Sequence, residues 1–143
     1  MEETRSIHEL AYFNLLKTGS WIEEQIKVVL RPLGLTHAQL NALYILFEAD
    51  PEPVSASDIK AKILVNNPDV TRLLDRLVKK GYVLRETCPE NRRKMDISLT
   101  ESGRTLFMEA HRSVKESLGN FFEMQITENE ANELRKIMQK MRR

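Results

Sequence analysis

The chain has 143 residues, 41% hydrophobic and 30% charged, with a net charge of +1. That length suits one domain able to bury about 68% of its unfolded surface, and no apolar run reaches the roughly 18 residues of a membrane helix. The N-terminal MEETRSIHELA lacks the charge-then-apolar order of a signal peptide, and the single cysteine, Cys88, excludes an intramolecular disulfide; a cytoplasmic protein with no membrane partner is expected.

Residues 6–31 read as a first helix, with Ile7, Leu10, Asn14, Trp21, Ile22, Ile26 and Val29 near helical spacing, ended by Pro32 and Gly34. Thr36 with Gln39 three residues on is a capping box that opens a second helix, whose stripe is Leu40, Leu43, Tyr44 and Phe47. The run DPEP at residues 50–53 breaks it. Ser55 caps a short third helix carrying Ile59, Ile63 and Leu64. Asn67 followed by Pro68 predicts an N-cap and first position for a fourth helix, with Val70, Leu73, Leu74, Leu77 and Val78 inward and Gly81 at its end. Beyond Gly81 the period falls to two. Val83, Arg85 and Thr87 alternate with Tyr82, Leu84 and Glu86, and Met95, Ile97 and Leu99 alternate with Lys94, Asp96 and Ser98, so a β-hairpin is predicted with PENRRK (residues 89–94) at its tip. Thr100 caps a long helix reaching about Met124, with Leu106, Ala110, Val114, Leu118 and Phe121 facing inward. A capping box of Thr127 and Glu130 opens the last helix, with Leu134, Ile137, Met138 and Met141 on its apolar side.

The balanced net charge conceals an uneven distribution. Residues 60–94 hold ten basic and four acidic side chains, a net of +6, against twelve basic and seventeen acidic in the remainder. A basic middle in an acidic frame is the electrostatic footprint of a polyanion site. The third and fourth helices have helix-turn-helix proportions, and a hairpin after them makes a winged helix-turn-helix. The fold class is therefore mainly α with a small β-hairpin wing. On the fourth helix the apolar stripe leaves Asp69, Arg72, Arg76, Lys79 and Lys80 outward, and its N-terminal end presents Asn66, Asn67, Asp69 and Thr71. A recognition helix points that end at base edges in the major groove. Arginine pairs with guanine, asparagine with adenine, and aspartate accepts from cytosine, while Lys79 and Lys80 suit phosphates. An amphipathic surface helix also turns polar residues outward; the adjoining basic hairpin favours the DNA reading.

DVTRLLDRLVKKGYVLRE (residues 69–86) and CPENRRKMDISLTESGRTLF (residues 88–107) resemble the recognition helix, wing and wing-to-helix junction of the MarR (multiple antibiotic resistance regulator) family of bacterial transcription factors. The resemblance covers essentially the whole chain, and LTESG and TRLLDRL are its most specific parts. It implies a homodimer, with residues 1–35 as an N-terminal dimerisation helix, 36–99 as the winged DNA-binding domain and 100–143 as C-terminal dimerisation helices. It implies a pseudo-palindromic double-stranded operator with half-sites roughly 34–36 Å apart, and a repressor released by an effector. Cys88 and Asn91 stand where the family tends to carry aspartates, which removes internal partners for the wing cations. In this comparison Arg92 enters the minor groove, Arg93 braces the wing and Lys94 touches phosphate.

Relatives bind small aromatic effectors in a cleft beside the dimerisation helices, for which Tyr12, Trp21, Tyr44 and Phe47 are the candidates, although such side chains more commonly form core. A redox-responsive member would use Cys88; a metal-responsive one would use histidines, but His8, His37 and His111 have no metal-ligand spacing. No nucleophile–base set or phosphate-cradling glycine loop is present, so neither an enzyme nor a cofactor is expected. The competing class is a winged-helix protein-interaction module.

Overall fold

The computed structural model describes residues 4–64 and 69–143. Helix α1 (Ile7–Leu30) opens on a capping box in which Ser6 and Glu9 satisfy each other's backbone N–H groups. A 3-10 turn, Arg31–Leu33, and Gly34 at φ 68° redirect the chain, a conformation that glycine alone adopts at low cost. Helix α2 (His37–Ala49) starts on the predicted Thr36–Gln39 box and runs through the centre of the core, with Leu43 and Ala42 fully buried. Helix α3 (Ala56–Lys62) is capped by Ser55, whose hydroxyl accepts from Asp58 N–H.

Helix α4 (Val70–Lys79) begins later than expected. Its N-cap is Asp69, whose carboxylate accepts the Arg72 N–H at 3.1 Å, an arrangement that the helix dipole also favours. The expected cap Asn67 and the Pro68 beside it lie outside the described residues. The inward stripe is as predicted, with Val70, Leu73, Leu74 and Leu77 buried, and Gly81 follows the helix at φ 81°.

Three strands form an antiparallel sheet in the order β1–β3–β2, where β1 is Val54–Ser55, β2 is Val83–Thr87 and β3 is Met95–Leu99. The hairpin register pairs Val83 with Leu99 and Thr87 with Met95. Val83, Ile97 and Leu99 therefore share the face that closes the core. Strand β1, which pairs Val54 with Ile97, was not expected, because two residues are too few to display a period.

The expected single long helix is α5 (Glu101–Val114), a π-helical turn (Lys115–Gly119) and α6 (Asn120–Gln125). The wider turn takes up one extra residue, so the inward register slips. Phe122 is half-buried, while the expected Phe121 is 40% exposed and lies with its ring centroid 5.0 Å from that of Trp21. Phe107, next to the predicted Leu106, is the buried aromatic of α5. Helix α7 (Glu128–Met141) opens on the predicted Thr127–Glu130 box. The N-terminal part of α1 up to Trp21 is exposed along its whole surface, as is α7 apart from Met138, leaving Leu10, Phe13, Leu16, Ile137 and Met141 without cover in the single chain. No helix among the described residues is long and apolar enough to cross a membrane.

Candidate nucleic-acid interface

The interface is built on α4 and the β2–β3 hairpin, and two local arrangements hold them together. The first is the LTESG junction. Thr100 N–H donates to the Tyr82 carbonyl at 3.1 Å, its hydroxyl donates to the Gly81 carbonyl at 2.7 Å, and the same oxygen accepts Gly103 N–H at 3.0 Å. Ser102 adds a second hydroxyl to the Gly81 carbonyl. The chain passes so close here that a Cβ on Gly103 would lie 1.9 Å from the Tyr82 oxygen. Next to it, Arg104 grips Asp50 through Nε and Nη2 at 2.8–3.0 Å, tying α5 to the end of α2. The second is the Arg85–Asp75 ion pair at 2.5 Å, which clamps β2 to α4. Arg85 projects on the core side of β2 because residues opposite each other share a face, and its opposite is the buried Ile97.

With its buried face committed, α4 turns Thr71, Arg72, Arg76 and Lys79 to solvent. Arg72 and Arg76 flank a shallow groove whose other wall is the N-terminus of α2, at Thr36, Ala38 and Gln39. Asp69, expected among the base-reading residues, also spends one carboxylate oxygen on its helix cap. Lys80 does not stand free beside Lys79, since its Nζ donates to the Gly34 carbonyl at 3.0 Å. Asn66 and Asn67 lie outside the described residues.

The wing tip is a compact loop. Cys88 N–H reaches the Lys94 carbonyl, Asn91 N–H the Cys88 carbonyl, and Lys94 N–H the Asn91 carbonyl, at 2.9–3.3 Å. Asn91 Oδ1 accepts Arg93 N–H at 3.1 Å. The expectation that the Arg93 side chain braces the wing is corrected here: Asn91 and the main chain do the bracing, because the amide bonds the backbone locally as aspartate would. Among the described residues no carboxylate pairs with Arg92, Arg93 or Lys94, and all three are exposed. An unneutralised cluster at the end of a hairpin attracts a polyanion.

The sequence profile of the MarR family matches residues 35–95, from the start of the α2 cap to the first residue of β3. The chain is 33% identical over 88 residues to the HTH-type transcriptional regulator PrsX of Escherichia coli, covering 62% of this chain and 53% of that protein. A MarR-family transcriptional regulator from Rhodococcus sp. RHA1 superposes with a TM-score of 0.81 at 26% identity, over 96% of each chain. Residues 35–95 carry a MarR-family domain. A further MarR structure, a cysteine-to-serine mutant from E. coli complexed with operator DNA, has a TM-score of 0.80 at 25% identity, over 96% of this chain and 99% of that one. The chain spans about half the length of the curated relatives it matches. The mainly helical fold with its winged helix-turn-helix is thus that of MarR proteins.

The four aromatic residues proposed for an effector cleft do not gather into one cluster. Phe47 and Tyr44 both approach Phe107, with ring centroids 4.6 and 6.0 Å away, and His111 stacks on the same ring. Trp21 pairs instead with Phe121, and Tyr12 with Phe13. The Glu48 carboxylate, one turn along α2, holds the Tyr44 phenol's pKa above its ordinary value. Among the described residues no group of histidine, cysteine and acidic side chains is arranged to hold a metal ion. Sequence reasoning missed Asn41, a buried amide between Leu40 and Ala42; a polar residue inside an apolar run was the available signal.

Proposed function

We propose that this protein is a sequence-specific double-stranded DNA-binding transcriptional regulator, a cytoplasmic homodimeric repressor whose operator affinity falls when an effector binds. The observation that carries the reading is the pairing of an outward cationic face on α4 with an unneutralised cationic wing, held at a fixed relation by Arg85–Asp75 and the Thr100 junction. Arg72 and Arg76, with Asn66, Asn67 and Thr71, read bases; Lys79 and Lys94 meet phosphates; Arg92 enters the minor groove and Arg93 adds charge beside it. Residues 36–99 form the DNA-binding unit. Residues 1–35 and 100–143 pair with a second copy, which would cover the apolar surface of α1 and α7. Two recognition helices then meet a pseudo-palindromic operator, and a rigid-body change in their spacing weakens both contacts together. A small aromatic effector would act near Tyr44, Phe47 and Phe107, and the relatives' regulatory role argues against an enzyme.

Selection of bound duplexes from random DNA, followed by salt titration on the selected site, tests this. The expected result is a palindromic consensus and a steep fall of log K with log salt, about −0.9 for each phosphate neutralised. Absence of duplex binding at low salt refutes the reading and leaves a protein-interaction module in its place.

A further inference from the structure

Asn41 lies in the apolar centre of α2 and keeps only 8% of its surface exposed. A buried amide is costly unless bonded, and this one is bonded at an informative place. Its Oδ1 accepts the N–H of Leu64 at 2.5 Å, across 23 residues of sequence. Leu64 directly follows the end of α3, where Ile63 N–H closes onto the Ile59 carbonyl at 2.9 Å. Only residues 65–68 separate it from Asp69, the cap of α4. Asn41 itself cannot drift, because α2 is packed through Leu43 and Leu46 and held to α5 by Asp50–Arg104.

We propose that Asn41 is a positioning residue for α4. It fixes the point at which the chain leaves α3, and so sets how the N-terminal turn of α4 approaches base edges. The inference rests on the DNA-binding reading above. Leu64 is 84% exposed, so its N–H finds water when the amide is removed; the fold and the body of α4, held by its buried stripe and Arg85–Asp75, survive, and what loosens is the approach of its first turn. Base contacts demand that placement, whereas the charge-driven attraction of the lysines and the wing tolerates a shift. The loss therefore falls on specificity.

The test compares wild type, Asn41→Leu and Asn41→Asp on the selected operator and on an unrelated duplex of equal length at one salt concentration, with urea midpoints measured beside them. Leucine is close in size and lacks the acceptor. It is expected to weaken operator binding about fivefold per subunit, the factor of one lost hydrogen bond, while the unrelated duplex changes less than about twofold. Aspartate keeps an acceptor for Leu64 N–H, in a groove lined by one charge of each sign, Lys62 and Glu48, and is expected to hold operator affinity within about twofold of wild type. If leucine costs the fold, Asn41→Ala gives the same comparison. The inference is overturned if the variant lacking an acceptor binds the operator as wild type does, or if both duplexes weaken in proportion to stability. It is equally overturned if folded Asn41→Asp loses operator binding as leucine does. Should wild type select no duplex, the DNA-binding reading itself falls, a result separable from the variant comparison.

Discussion

Two glycines of the α5–α6 region should respond to alanine in opposite directions. At Gly103 an added Cβ meets the Tyr82 carbonyl oxygen at 1.9 Å and its carbon at 2.9 Å, where an ordinary contact needs about 3.5 Å. The carbonyl cannot swing aside without breaking its bond to Thr100 N–H, and Gly81 just before it is held by Thr100 and Ser102. Overpacking costs about 1–3 kcal/mol. Two disrupted hydrogen bonds add about 1 kcal/mol each, and the helix propensity of alanine returns about 1 kcal/mol. The expected result for Gly103→Ala is a destabilisation of about 2–4 kcal/mol. At Gly119 the nearest atom to an added Cβ is Lys115 Cγ at 3.5 Å, so only the propensity gain remains and Gly119→Ala should stabilise by up to about 1 kcal/mol. Urea unfolding followed by helical circular dichroism measures both, at one protein concentration because the proposed assembly with a second copy would shift the apparent midpoint. Gly103→Ala as stable as wild type would refute the argument, since it would mean the junction relaxes without losing its bonds.

Arg72→Ala should relax base preference at one position of the half-site by about 1–3 kcal/mol, whereas Lys79→Ala should weaken every duplex alike and reduce the salt slope by about one contact; identical behaviour in a binding-site selection would misplace the recognition face. Arg92→Ala should weaken operator binding in a gel-shift titration and leave the solution mass unchanged, and unaltered affinity would return the wing tip to an ordinary solvated loop. Arg104→Ala should lower stability by about 1–2 kcal/mol, more than a single exposed pair, because its contact with Asp50 is bidentate and half-buried. Glu130 accepts the Thr127 N–H, and that bond holds its carboxyl below the ordinary value. A lowered folded pKa means that its contribution is present at neutral pH and lost as pH falls through that lowered value. NMR titration should find Glu130 protonating below the ordinary glutamate value; protonation at that value would remove the capping box from the account.

The elements legible in the sequence were those whose causes are local. The capping boxes at Thr36–Gln39 and Thr127–Glu130 need only four residues to announce themselves, and both are formed. The α4 stripe and the change of period after Gly81 are likewise short-range signals, and they give the helix and the hairpin. Periodicity fails where its assumption fails: a constant 3.6 residues per turn cannot foresee the π turn at Lys115–Gly119, after which Phe122 is the less exposed of the two aromatics and Phe121 lies against Trp21. Nor can it foresee a bond such as Asn41 to Leu64, whose partners meet only when α2 and α3 are already docked.

Charge shows the same division. Ten basic residues between positions 60 and 94 make that segment positive as a total, yet the total does not say which of them face outward. Arg85 is held by Asp75 and Lys80 by the Gly34 carbonyl, while Asp69 spends its charge on a helix cap. Those three commitments are internal and hold α4, β2 and the turn before α2 in place. What remains outward on these two elements is concentrated on Arg72, Arg76, Lys79 and the wing tip, where Asn91 closes the loop without bringing a negative charge. A cation that braces the scaffold and one that meets a ligand look alike in a sequence; they differ in whether an acceptor already lies within reach, and the fold decides that.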